Sequence, residues 1–228
     1  MNKSFVYLAA CLSIGTASAQ GLSNGGMQHL MTDISSKPRG VSELNSSIDG
    51  SPYYNNSYCI ANITYNGKLF PKVPAMLNLQ DNFMIYKDES GQELIATSTV
   101  DRIEFPDCGN TAFESGFPAI DHQMVSTFYQ VINKGPKAEL LKYIQFVLRD
   151  VAITGLTNST YTKSLDRTDV YYAYIPGKGM TRLEKNAESL LTALSDKKAA
   201  IEAYIGSHHI KGKKETDLAE VFAYYNTL

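Results

Sequence analysis

Between residues 51 and 183 apolar side chains return at every second position, in short runs broken by turn residues. This is the spacing by which an extended backbone sends alternate side chains to opposite faces of a sheet. Cys59, Ala61, Ile63 and Tyr65 fall on one face of the first run, and Asn66-Gly67 then supplies the positive backbone angles of a tight hairpin. Pro71 and Pro74 bracket a short edge-like segment. Strands are expected over 76–79, 83–86, 94–98 and 100–105, ending at Pro106-Asp107 just before Cys108. The links are short, so neighbours in sequence should pair antiparallel as a meander. The longest hairpin joins 124–133 to 137–149 through Lys134-Gly135-Pro136, and in its second arm Leu140, Ile144, Phe146 and Leu148 share a face with Lys142. Strands of that length predict a strongly bent sheet or a barrel. Residues 154–168 read as polar and turn-like; a strand over 170–175, the turn Gly177-Lys178-Gly179 and a short strand to Leu183 complete the β-rich body.

After Leu183 the period becomes helical. Leu183, Ala187, Leu190, Leu191 and Leu194 form one apolar stripe, and Ile201, Tyr204 and Ile205 form another after Ser195-Asp196, with Gly206 as its expected end. A last helix is expected from about Glu215, with Leu218, Val221, Phe222 and Tyr225 spaced i, i+3, i+4, i+7. Helices this short do not persist alone in water, so they must dock on the sheet. The expected fold is α+β: an antiparallel β-meander over residues 51–183, bent or barrel-like, followed by a short helical tail over 184–228 packed on it.

The first residues read as an export signal. Lys3 gives the positive start, residues 5–14 are apolar, and Ala17-Ser18-Ala19 offers small side chains for cleavage between Ala19 and Gln20. The apolar stretch is too short for a membrane span, and no later segment approaches one. A second reading takes Leu8-Ala9-Ala10-Cys11 as a lipobox, which would leave Cys11 acylated on an anchored lipoprotein. Residues 20–50, rich in Gly, Ser and Asn, read as a flexible lead-in. Removing Lys3 with the leader takes the 21 basic side chains to 20 against 23 acidic ones, a net charge of −3. That balance disfavours a nucleic-acid partner. Two cysteines then remain, and in the oxidising compartment of a periplasmic, outer-envelope or secreted protein Cys59 and Cys108 are expected to form a disulfide.

Motifs of catalysis are sparse. The sequence carries no G-x-S-x-G elbow between a strand and a helix, no H-E-x-x-H and no Walker loop, and Gly206 to Gly212-Lys213-Lys214 has the wrong spacing and no hydroxyl for magnesium, so no cofactor is expected. His208-His209 point in different directions and read as a solvated helix end, so no metal site is expected either. Asp121-His122 is the weak candidate for a general base, in which case the chain would be a secreted hydrolase with a site assembled in space. Fifteen tyrosines and no tryptophan are the unusual part of the composition. The cluster Tyr171, Tyr172 and Tyr174 is the candidate surface contact, with half-buried strand packing as the competing reading.

Two stretches carry a resemblance: Gly50-Ser51-Pro52-Tyr53 ahead of a strand and Asn66-Gly67, and Lys213-Lys214-Glu215-Thr216-Asp217-Leu218 leading to Tyr224-Tyr225-Asn226-Thr227-Leu228. Over residues 50–228 the chain resembles a group of uncharacterised exported and envelope proteins of Gram-negative bacteria with a G-S-P-Y strand opening and a helix ending Y-Y-N-x-L. The resemblance implies a β-rich body with a helical tail, and it carries over no active site. The expectation is an exported, non-enzymatic protein that binds an envelope partner protein or a small apolar ligand.

Overall fold

The structure, a computed structural model, describes residues 33–39, 48–154 and 159–228. The expected leader, its cleavage at Ala19 and Gln20, and Cys11 lie outside the described residues.

Strands β3 (Cys59–Tyr65), β4 (Lys68–Asn78), β5 (Phe83–Lys87) and β6 (Glu93–Ala96) form an antiparallel meander. The chain then returns across the sheet, and β7 (Arg102–Phe105) pairs on the free side of β3. From there β8 (Thr111–Glu114), β9 (Tyr129–Lys134), β10 (Glu139–Thr154), β11 (Ser159–Ile175) and β12 (Gly179–Leu183) form a second meander. The sheet is bent but not closed, so the barrel alternative gives way to an open sheet whose end strands are β1 (Ser36–Pro38) and β12. A short β2 (Ile48–Asp49) lies parallel against β11.

Local chemistry explains most of these elements. Asn66 and Gly67 both take positive φ, 50° and 75°, which is the primed turn whose twist suits a two-residue hairpin. Pro71 and Pro74 do not mark a separate edge segment. They lie inside β4, in the half that β5 does not reach, since β4–β5 pairing spans only Ala75–Asn78. A missing N–H is tolerated there. Residues 124–128 are not strand, and β9 begins only at Tyr129. Residues 159–168, read as turn-like, belong to β11. They lack apolar alternation because β10 and β11 extend as a ribbon beyond the core; over 162–168 no side chain is fully buried. Part of the stretch read as a lead-in is also ordered: β1 pairs with β6, Ile34 is buried, and Arg39 reaches Glu93 at 2.9 Å.

One face of the sheet carries the main core. Ala61, Ile63, Val73, Leu77, Ile103, Phe105 and Phe113 cluster there with Ile144 from β10. The Cys59–Cys108 disulfide is formed, with Cα atoms 6.2 Å apart, and ties β3 to the β7–β8 turn. On the same face, further along, helices α1 (Ala187–Ala193), α2 (Lys198–Ser207) and α3 (Glu215–Thr227) cover Leu140, Tyr171, Ala173 and Leu183. Leu190, Leu194, Ile201, Leu218, Val221, Phe222 and Tyr225 are the buried stripe of this lid. Each such side chain contributes roughly 1.5–3 kcal/mol by leaving water, which more than offsets the marginal stability of helices this short. Asn186 caps α1, its Oδ1 accepting from the Ser189 amide at 2.8 Å. No helix among the described residues is long and apolar enough to cross a membrane.

Candidate binding surface

The opposite face of β9–β12 is covered by the loop over residues 115–128. Phe117 is its anchor, buried with Tyr129, Leu141 and Tyr172 and packed edge-on against Tyr129 and Tyr174 at ring separations of 5.7 and 5.2 Å. Polar bonds fix the rest. Gly116 N donates to the Val125 carbonyl at 2.8 Å, and Ile120 and Gln123 form a small bridge. Asn82 clasps the far end: its Nδ2 donates to the Ser126 carbonyl at 2.7 Å and its Oδ1 accepts from Phe128 N at 2.8 Å. Met124 N donates to Thr127 Oγ1 at 3.0 Å. At the near end Asp121, at φ 52°, accepts from the Tyr172 hydroxyl at 2.8 Å and faces Arg182 at 3.5 Å.

On this pinned loop two apolar side chains stand in solvent: Met124 is 70% exposed and Val125 55%. They form one wall of an open groove of about 470 Å³, completed by Thr99, Ser115, Gly116, Ala119 and Ser126. Its polar atoms are few, so it suits an aliphatic or aromatic group rather than a charged one.

Asp121 carries structure: its carboxylate is engaged by Tyr172 and Arg182, while burial first and this bond second push the Tyr172 hydroxyl well above the usual tyrosine range. His122 is exposed and does not line the groove, so the two neighbours are not assembled as a base and its orienting acid. Tyr171 and Tyr172 are not surface contacts, being 4% and 1% exposed, and Tyr174 is half-buried against Phe117. The physical reason is that both faces of β11 are covered here, by helices on one side and by the 115–128 loop on the other. His208 and His209 are exposed at the end of α2; the His208 ring stacks on Tyr204 at 4.0 Å. Gly212 and Lys213 form the turn into α3, where Lys213 N donates to Asp217. Among the described residues no group of His, Cys, Asp and Glu is arranged to hold a metal ion.

One polar cluster had no recognisable motif. Arg102 bonds Glu104 and Glu114, and Lys134 reaches Glu114 at 2.8 Å and Glu139 at 3.9 Å. Burial pushes the Glu139 carboxyl up, only partly opposed by Lys134 and Arg102, and its Oε2 is buried with no hydrogen-bond partner. Residues this far apart in sequence meet only through the order β7-β8-β9-β10, so only the adjacency of Arg102 and Glu104 on one strand face was visible beforehand.

Compared with known proteins, the chain matches no family model, no curated protein and no solved structure.

Proposed function

We propose that this chain is an exported, non-enzymatic binding protein that holds an apolar group of a partner protein, or a small apolar ligand, against the Met124–Val125 tip. The observation that carries the reading is the contrast between exposure and fixation. Large apolar side chains held out in water on a loop clamped at Asp121, Gly116 and Asn82 lose little conformational freedom on binding. The formed disulfide suits an oxidising compartment, which supports export. The test is capture from an envelope extract on immobilised residues 20–228, beside the double variant Met124→Asp, Val125→Asp. A protein retained by the parent chain and lost by the variant is the expected result. For the small-ligand form, an apolar fluorescent dye should bind the parent chain and fail with the variant. Equal retention of both proteins and dye by the two chains would overturn the reading.

A further inference from the structure

The end strands of the sheet are blunted. β1 has three residues and closes on Pro38, and β12 has five, with Thr181 and Arg182 exposed. Short, charged or proline-bearing edges resist pairing with another chain. β10 is different. β9 pairs with it only over Glu139–Lys142, and among the described residues no strand covers that side of β10 from Tyr143 onward. The open stretch Tyr143-Ile144-Gln145-Phe146-Val147-Leu148-Arg149 holds one charge, no proline and no glycine, and Leu148 is 49% exposed. Such an edge offers unpaired backbone groups together with apolar side chains.

We propose that this edge joins a second copy of the chain in a two-fold antiparallel strand pair centred on Phe146. The register follows from charge, symmetry and the length paired. With β9 occupying Glu139–Lys142, centring on Gln145 also opposes no like charges but pairs only residues 143–147, whereas centring on Phe146 pairs 143–149. In a two-fold pair the central residue faces itself, and directly opposed side chains lie on the same face. Centring on Arg149 or Asp150 sets like charges opposite each other. Centring on Leu148 sets Phe146 against Asp150, and centring on Val147 sets Ile144 against Asp150. Centring on Phe146 removes these conflicts: Leu148 of the second copy is set opposite Ile144, whose own side chain is buried in the main core, Gln145 opposite its Val147, and Tyr143 opposite its Arg149, ring to guanidinium. The pair begins at the first residue beyond β9, and the apolar row Ile144, Phe146, Leu148 then continues across the axis. The arrangement uses a surface separate from the Met124–Val125 groove, so it stands or falls independently of that reading.

Sedimentation equilibrium of residues 20–228 up to about 0.5 mM should show a concentration-dependent doubling of mass that stops at two. Leu148→Asp should remove it, and Met124→Asp with Val125→Asp should leave it unchanged. Thiol trapping fixes the register: a mixture of Tyr143→Cys and Arg149→Cys chains should cross-link on oxidation, while neither variant alone does so beyond background. A single-chain mass at every concentration, growth past two chains, or no excess covalent dimer in the mixture would overturn the proposal.

Discussion

Lys142 of β10 meets Glu215, the first residue of α3, at 2.8 Å beneath the helical lid. The lysine is 7% exposed on a strand face otherwise apolar, between Leu140 and Ile144, and Tyr171 donates to the same carboxylate at 2.9 Å. A buried cation this close to one side of the lid is tolerable only while its partner is in place. The pair therefore fixes where α3 enters against the sheet.

Lys142→Ala should destabilise the fold by about 2 kcal/mol in urea unfolding, less than for a fully buried pair because Glu215 retains contact with water. Lys142→Met, which keeps the aliphatic volume, should cost less. An unchanged midpoint in the alanine variant would contradict this role.

Burial raises the Glu215 carboxyl, but the bonds from Lys142 and Tyr171 outweigh it and hold it below the usual carboxylate range. A depressed folded-state value contributes stability above the unfolded-state value and loses it as pH falls through the folded one. Stability should therefore fall on acidification below about pH 4.5 more steeply in the parent chain than in Glu215→Gln. Parallel pH profiles would contradict it.

Glu139 has the opposite sign. Its carboxyl is raised by burial, so its ionisation opposes folding as pH rises past the unfolded-state value. Glu139→Gln should raise the melting temperature at pH 7 by about 2 °C and change little at pH 3. A lower melting temperature at neutral pH would show that the charge is needed by Lys134 and Arg102.

Asn226 closes the other end of α3. Its Oδ1 accepts from Lys137 N and Ala138 N, each at 3.0 Å, and its Nδ2 donates to Ala138 O, Asn133 Oδ1 and Phe222 O. A Cβ on Gly135 would lie 2.1 Å from Asn226 Cγ. Asn226→Ala should cost about 3 kcal/mol by orphaning backbone groups of the β9–β10 turn. Gly135→Ala should be severe in the parent chain and milder in an Asn226→Ala background, a coupling that a double-mutant cycle measures. Additive effects would rule out the clasp.

Reducing the Cys59–Cys108 bridge frees a loop of 49 residues, which in the chain-entropy model corresponds to about 4 kcal/mol. The paired Cys59→Ala, Cys108→Ala chain should unfold at correspondingly lower urea, and a reductant should reproduce the shift in the parent chain.

What was legible in the sequence followed from local rules. Asn66-Gly67 specifies its own turn, and the i, i+3, i+4, i+7 spacing of Leu218, Val221, Phe222 and Tyr225 marks the buried side of α3 without reference to anything else. What was not legible depends on partners distant in the chain. The β11 arm over 159–168 is a strand because β10 pairs with it, not because of its own pattern. Tyr171 and Tyr172 are buried by elements more than forty residues away, as their bonds to Glu215 and Asp121 record. Likewise, Met124 and Val125 fitted a strand pattern, whereas the Asn82 clasp holds them in a loop.

The proposed binding surface depends on that loop being fixed before anything binds. Amide hydrogen exchange on the free protein tests this most directly, at Gly116, Met124 and Phe128, whose N–H groups donate to Val125 O, Thr127 Oγ1 and Asn82 Oδ1. Exchange well below unprotected-peptide rates is expected at all three, with the protection falling in Asn82→Ala. Exchange at unprotected-peptide rates in the parent chain would contradict a preformed tip.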